Sequence, residues 1–222
     1  MPKSPQSTAH DWEIVPAISE SDFRGPAARI YQRGGWGKAD ILLLEAPGRK
    51  AIVKDFNRKI LPVRWYGRWQ IRREASIYRK LAGIPGVPQY FGRIGKNAMA
   101  IEYVEGERIS HWKRRELPPE LFTRLWGLID AIHSRGIVHI DLRKRDNILI
   151  SPSGEVFIID FNASFRFDPG SRGARWFLPT LKKIDHFGFL KWKAALAPSQ
   201  LSEAERQAFR RMSFLRRFWI FK

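Results

Sequence analysis

The hydrophobic pattern falls into short apolar runs first and longer helical periods later. Ile41-Leu42-Leu43-Leu44 and Ala51-Ile52-Val53 flank Glu45-Ala46-Pro47-Gly48-Arg49, and Pro-Gly fits the two central positions of a type II turn. This spacing predicts a hairpin. Ile71, Ala75, Tyr78 and Ala82 recur at helical spacing ahead of Gly83, Pro85 and Pro88, which predicts a helix of about three turns. Tyr90-Phe91-Gly92 and Ala98-Met99-Ala100-Ile101 surround a Gly-Lys-Asn turn and read as a second hairpin. From Pro118-Pro119, Leu121, Leu125, Leu128, Ile129 and Ile132 mark a helix that Gly136 ends. Ile137-Val138-His139, Ile148-Leu149-Ile150 and Val156-Phe157-Ile158-Ile159 follow as short strands, and the remaining basic, aromatic stretch has a helical pattern.

This order predicts an α+β protein of two lobes: a weakly ordered lead-in over 1–22, a β-rich lobe over 23–104 and a mostly helical lobe over 105–222. Each apolar run is interrupted by charge well before the roughly 18 residues a membrane-spanning helix needs. The polar start and the acids of residues 11–24 leave no signal-peptide apolar region, so the expected location is cytoplasmic.

Composition changes the picture in two respects. The chain has no cysteine, which excludes disulfide scaffolds, thiol catalysis and Cys-ligated zinc or iron–sulfur sites. Its 40 Lys and Arg against 22 Asp and Glu give a net charge of +18, a surface that attracts phosphate on nucleic acid, membranes or small molecules. No RNA- or DNA-binding motif accompanies that charge, and nucleic acid is the disfavoured partner.

The chemistry-bearing residues stand between the apolar runs. Lys54 ends a strand and Glu74 follows on the next helix; such a pair can hold an ammonium toward bound phosphates, although a strand-end lysine in water has the same local sequence. In the segment from His139 to Ile150, Asp141 lies in a basic loop after a strand, where an acid can orient a hydroxyl and accept its proton. Asn147 and, after the next strand, Asp160 supply oxygen ligands suited to magnesium. The histidines form no HExxH or other close ligand pair.

In order, Val53-Lys54, Glu74, Ile101-Glu102-Tyr103-Val104, His139-x-Asp141, Asn147 and Asp160-Phe161 resemble the protein-kinase-like phosphotransferases over about residues 30–165. The resemblance implies a bilobal kinase-like fold using ATP and Mg²⁺. Lys54 would hold the α/β-phosphates, Glu74 would position it, Asp141 would be the catalytic acid/base residue, and Asn147 and Asp160 would bind the metal. The Glu102 carbonyl and Val104 amide would meet adenine, and Arg143 would neutralise the transferred phosphoryl group. His139 would pack beneath the catalytic loop.

Four departures accompany the match. Gly34-Gly35-Trp36-Gly37 does not fit G-x-G-x-x-G, so it reads either as a phosphate cradle or as a plain glycine turn. Ile140 stands where many protein kinases have the Arg that pairs with a phosphorylated activation loop. Asn147 lies six positions after Asp141 rather than five, which leaves Asp146 as a competing ligand, and Asn162 replaces the Gly of DFG.

The short basic loop 141–145, the stretch from Val53-Lys54-Asp55-Phe56 to Arg72-Arg73-Glu74-Ala75, and the small size resemble the lipopolysaccharide kinases, which phosphorylate Kdo or heptose sugars. That narrower resemblance implies an anionic glycolipid acceptor at the inner-membrane surface. A serine or threonine of a protein is the alternative acceptor, and a pseudokinase binding module the alternative outside catalysis. Arginines interleave with Trp65, Tyr66 and Trp69, and again with Phe209, Phe214, Phe218, Trp219 and Phe221. These fit the headgroup level of an anionic membrane, or, for the C-terminal set, the core face of a last helix.

Overall fold

The computed structural model describes residues 28–46, 49–112, 117–168 and 170–217. The lead-in over 1–22, the Pro47-Gly48 turn and Phe218, Trp219 and Phe221 lie outside them. Five antiparallel strands, β1 (Ala28–Gln32), β2 (Asp40–Ala46), β3 (Arg49–Asp55), β4 (Tyr90–Ile94) and β5 (Ala98–Glu102), form a sheet of order β1-β2-β3-β5-β4. Both hairpins expected from the apolar runs are present, and β1 adds a strand that the pattern did not announce. Period-two alternation divides the sheet's faces. Leu44, Ala51, Val53, Ala98 and Ala100 pack together on one side, whereas Met99 and Ile101 face the main core. Lys54 pairs across the sheet with Met99 and therefore shares the main-core side.

On that side lies α1 (Leu61–Leu81), a helix of 21 residues and not the three turns that the spacing of Ile71, Ala75, Tyr78 and Ala82 predicts. Its buried stripe starts earlier, at Val63 and Gly67, and ends on Leu81 rather than on Ala82. Gly67 hides the first part of the stripe because it packs by having no side chain. A Cβ there would lie 2.3 Å from Cγ of the Phe56 ring.

Beyond β5 the chain passes through β6 (Glu107–Arg108) to α2 (Pro119–Ser134), whose Leu121, Leu125, Leu128, Ile129 and Ile132 are all buried as their spacing predicts. Gly136, at φ +70°, ends the helix; a Cβ there would meet the Phe167 carbonyl at 2.5 Å. The short strands β7 (Ile137–Val138), β8 (Ile148–Ile150), β9 (Val156–Ile158) and β10 (Phe165–Arg166) pair as β6-β8-β9 and β7-β10. His139 and Ile159 fall just past their strands, where the chain turns toward the site. Two helices, α3 (Arg172–Leu196) and α4 (Glu203–Arg217), complete the helical part. Phe209 of α4 stacks on Phe187 at 5.6 Å and packs on the core, while Phe214 is exposed. For Phe209, of the two expectations for the C-terminal aromatics, the core-facing one holds.

The architecture is α+β, with the sheet in the N-terminal region and helices in the C-terminal part, the arrangement of a kinase-like fold. Among the described residues, no helix is long and apolar enough to cross a membrane.

Candidate active site

Strand, helix and strand end converge at Lys54. Its Nζ donates to Glu74 Oε1 on α1 at 2.6 Å and to Asp160 Oδ1 beyond β9 at 2.7 Å. Glu74 is almost wholly buried, so its carboxylate depends on that ammonium. Burial opposes the charge on Lys54, but the carboxylates of Asp160 and Glu74 outweigh it and push the ammonium's pKa up. Attraction to Lys54 is also the main reason that Asp160 is held down to about 2. Burial pushes Glu74 upward, against the pull of Lys54.

Asp160 adopts the left-handed conformation, φ 64° and ψ 68°, which Asp tolerates better than most residues. Phe161 then turns inward. Its ring meets His139 at 5.0 Å and Tyr78 of α1 at 5.2 Å, so one aromatic column joins α1 to the loop carrying Asp141. His139 Nε2 lies 3.0 Å from the Ile159 carbonyl, beneath the loop as expected. Burial lowers its pKa, so the imidazole is neutral at pH 7.

The loop itself is strained and anchored. Ile140 has φ 58°, a conformation costly for a β-branched residue. Asp185 of α3, to which the sequence assigned no role, holds it there. Its Oδ2 accepts from the His139 amide at 2.8 Å and its Oδ1 from the Ile140 amide at 2.7 Å, and His133 Nε2 is 2.9 Å from Oδ2. On the same helix, Trp192 Nε1 donates to the Leu142 carbonyl and Lys191 Nζ to the Arg143 carbonyl. Gly188 lets the loop sit close, since a Cβ there would be 2.9 Å from Cβ of Leu142.

On this support Asn147 is buried, and its Nδ2 donates to the Asp141 carbonyl at 3.0 Å, which leaves the amide oxygen as the ligating atom. The Asn147 carbonyl accepts from the Ile159 amide, so Asn147 lies next to the strand end that carries Asp160. Asp146 points elsewhere, to Arg108 at 3.1 Å. Lys144 pairs with the Asp141 carboxylate at 2.5 Å, whereas the Arg143 guanidinium lies over the Phe187 ring. The sequence singled out Arg143; the cation on Asp141 is its neighbour.

Gly34, Gly35 and Gly37 form a tight loop between β1 and β2. Asp40 Oδ1 accepts from the Gly34 amide at 2.8 Å and from Lys59 Nζ at 2.7 Å, and Lys59 also donates to the Gly34 carbonyl. Burial of Asp40 is outweighed by these donors, so its pKa lies below the usual carboxylate range. Glu102 ends β5 with its amide donating to Gln89 and its side chain accepting from the Gln89 amide at 2.9 Å; Val104 follows in the connection to β6.

The donor set suits a hard cation carrying a polyphosphate. An ionised Asp160 and a fixed Asn147 oxygen are oxygen ligands of the kind magnesium takes, and Lys54 is a buried ammonium beside them. Among the described residues no group of three or more His, Asp or Glu side chains could hold a metal ion by itself.

No family model matches the chain. Curated serine/threonine protein kinases do. The chain is 30% identical over 155 residues to the serine/threonine-protein kinase PknD of Chlamydia muridarum, covering 61% of this chain and 16% of that protein. It is 37% identical over 103 residues to CBL-interacting serine/threonine-protein kinase 20 of Arabidopsis thaliana, 43% of this chain and 23% of the relative. A probable cAMP-dependent protein kinase catalytic subunit of Encephalitozoon cuniculi is 35% identical over 104 residues, 43% of this chain and 32% of the relative. The matches therefore span less than a third of these relatives' length. They support a protein-kinase-like phosphotransferase.

Proposed function

We propose that this chain transfers the γ-phosphoryl group of ATP to a hydroxyl. The observation that carries the reading is the convergence of Lys54, Glu74 and Asp160 at 2.6 and 2.7 Å, beside a loop that a buried aspartate fixes at strained geometry. Mg·ATP, when bound, supplies the electrophilic phosphoryl group. Lys54 would hold its phosphates, oriented by Glu74, while Asp160 and Asn147 would hold the metal, with Asp146 turned away to Arg108. Asp141 would orient the acceptor hydroxyl and take its proton. Lys144, and Arg143 beside it, would offset charge near the transferred group. The glycine loop, with Gly34, Gly35 and Gly37, would close over the phosphates, and Glu102 and Val104 would present backbone groups to the base.

The names of the relatives favour a serine or threonine hydroxyl of a protein over the lipopolysaccharide sugar that the narrower sequence resemblance implied. A specific observation keeps the sugar reading as second. Only residues 161–171 separate Asp160 from α3, a short stretch on which to lay out an extended peptide.

Incubation of the purified chain with labelled Mg·ATP and, separately, a serine/threonine protein acceptor and lipopolysaccharide core oligosaccharide tests both. Label should enter one acceptor and fall about 10³-fold or more in Asp141→Asn, as loss of a general base and orienting group requires. Mg·ATP binding without transfer to either acceptor would leave the binding-module reading in its place.

A further inference from the structure

We propose that the outer face of the first half of α1 docks on an anionic lipid bilayer. A helix lying on a globular core normally shows one apolar stripe inward and polar residues outward. This one has two apolar stripes. Val63, Gly67 and Ile71 face the core, while Leu61, Trp65 and Trp69, at the same four-residue spacing, face outward with 66%, 72% and 54% of their surface exposed. Tyr66 stacks on Trp69 at 5.9 Å and widens the outer stripe. The surface continues across the structure. The Arg73 guanidinium lies 5.4 Å from the Trp69 ring and 5.5 Å from that of Phe165, itself 44% exposed.

Charge decides the occupant. From Phe56 to Arg73 the sequence contains no acid. Arg58 and Arg72 are exposed with the aromatics, while Arg64 and Arg68 flank them half-buried, Arg68 donating to Asn97 Oδ1 at 2.7 Å. A protein partner with an apolar patch would match the tryptophans and leave these cations unanswered. Anionic headgroups answer both, because indole and phenol rings settle at headgroup depth and each nearby arginine adds attraction that salt screens. The inference does not rest on the identity of the acceptor. It would hold for a protein or a sugar substrate, provided either is met at a membrane surface.

Flotation of the full chain with vesicles of phosphatidylcholine, or of phosphatidylcholine mixed with phosphatidylglycerol, tests it. The protein should float with the anionic vesicles alone and release as salt rises. Trp65→Ala/Trp69→Ala should weaken binding about tenfold or more, and Arg72→Glu should weaken it with its thermal unfolding unchanged. Equal binding to neutral vesicles, no binding to anionic ones, or full binding by both variants would overturn the proposal. A concentration-dependent dimer that the double variant abolishes, with no vesicle binding, would assign the face to a second copy of the chain.

Discussion

A carboxylate as deeply buried as Glu74 persists only with a partner. Lys54 supplies it at 2.6 Å, and the two side chains are 12% and 3% exposed, so water does little to screen them. Removing one member of such a pair costs more than the pair contributes, because the survivor keeps its desolvation penalty; the usual loss is about 3–5 kcal/mol. Lys54→Met should therefore abolish phosphotransfer and also lower stability to urea by about 3 kcal/mol at neutral pH. Its pH dependence has a definite sign. Burial raises the folded-state pKa of Glu74, so the contribution of its proton is fully present below the unfolded value and is lost as pH rises through the folded one. Without Lys54 that loss grows, and the variant should be relatively more stable at pH 5 than at pH 8. Lys54→Met/Glu74→Gln should recover much of the stability and none of the activity. A Lys54→Met protein as stable as the parent at pH 8 would show that the pair is not energetically closed.

At the scale of the element, legibility followed how many constraints each position serves. In α2 five of the buried positions, 121, 125, 128, 129 and 132, are Leu or Ile at helical spacing, with Phe122 and His133 beside them, and the helix can be read from that spacing. In α1 the inward position 67 is glycine and the outward positions carry tryptophan, so period and composition disagree just where the helix begins. Asp141, Asn147 and Asp160 could be singled out because each lies beside the end of a recognisable strand, and Glu74 because it lies on the helix that follows Lys54. The segment 181–186 resembles the place where the lipopolysaccharide kinases often carry a Lys-Asp pair on a helix, which marks Asp185 but gives it no role, and its acceptance from the amides of 139 and 140 is not legible there. The Gly67 contact makes its own prediction. Replacing a mid-helix glycine by alanine ordinarily gains about 1 kcal/mol. Here the new Cβ would fall 2.3 Å from a buried phenyl ring, and overpacking of that kind costs about 1–3 kcal/mol. The clash should win. Gly67→Ala should lower the urea midpoint, and Gly67→Ala/Phe56→Leu should restore it; a rise in the single variant would mean that the ring can yield.

Across the whole molecule, the N-terminal sheet and α1 share one apolar core with the C-terminal part, and Arg73 adds a polar tie between them. Its guanidinium reaches from α1 to the carbonyls of Asn162, Ala163 and Ser164, while Lys80 of the same helix donates to the Phe167 carbonyl at 2.8 Å. The segment after Asp160 is thus tied directly to the helix that carries Glu74. Ile140 stands where many protein kinases have the Arg that pairs with a phosphorylated activation loop, and the tie through Arg73 needs no such modification. If the chain transfers phosphoryl groups as proposed, Arg73 would be a positioning residue, acting through Asp160 and Glu74 rather than on substrate. Arg73→Ala should lower kcat about tenfold or more with a smaller change in KM for ATP, since loss of charge-assisted bonds of about 1.5–3 kcal/mol shifts the alignment of the segment. Arg73→Lys should rescue little, because one ammonium cannot span three carbonyls as a planar fork does. Amide exchange over residues 161–168 should quicken in both variants. An unchanged kcat alongside faster exchange would place the tie in stability alone, and unchanged exchange would show that the aromatic column of Tyr78, Phe161 and His139 holds the two halves together without it.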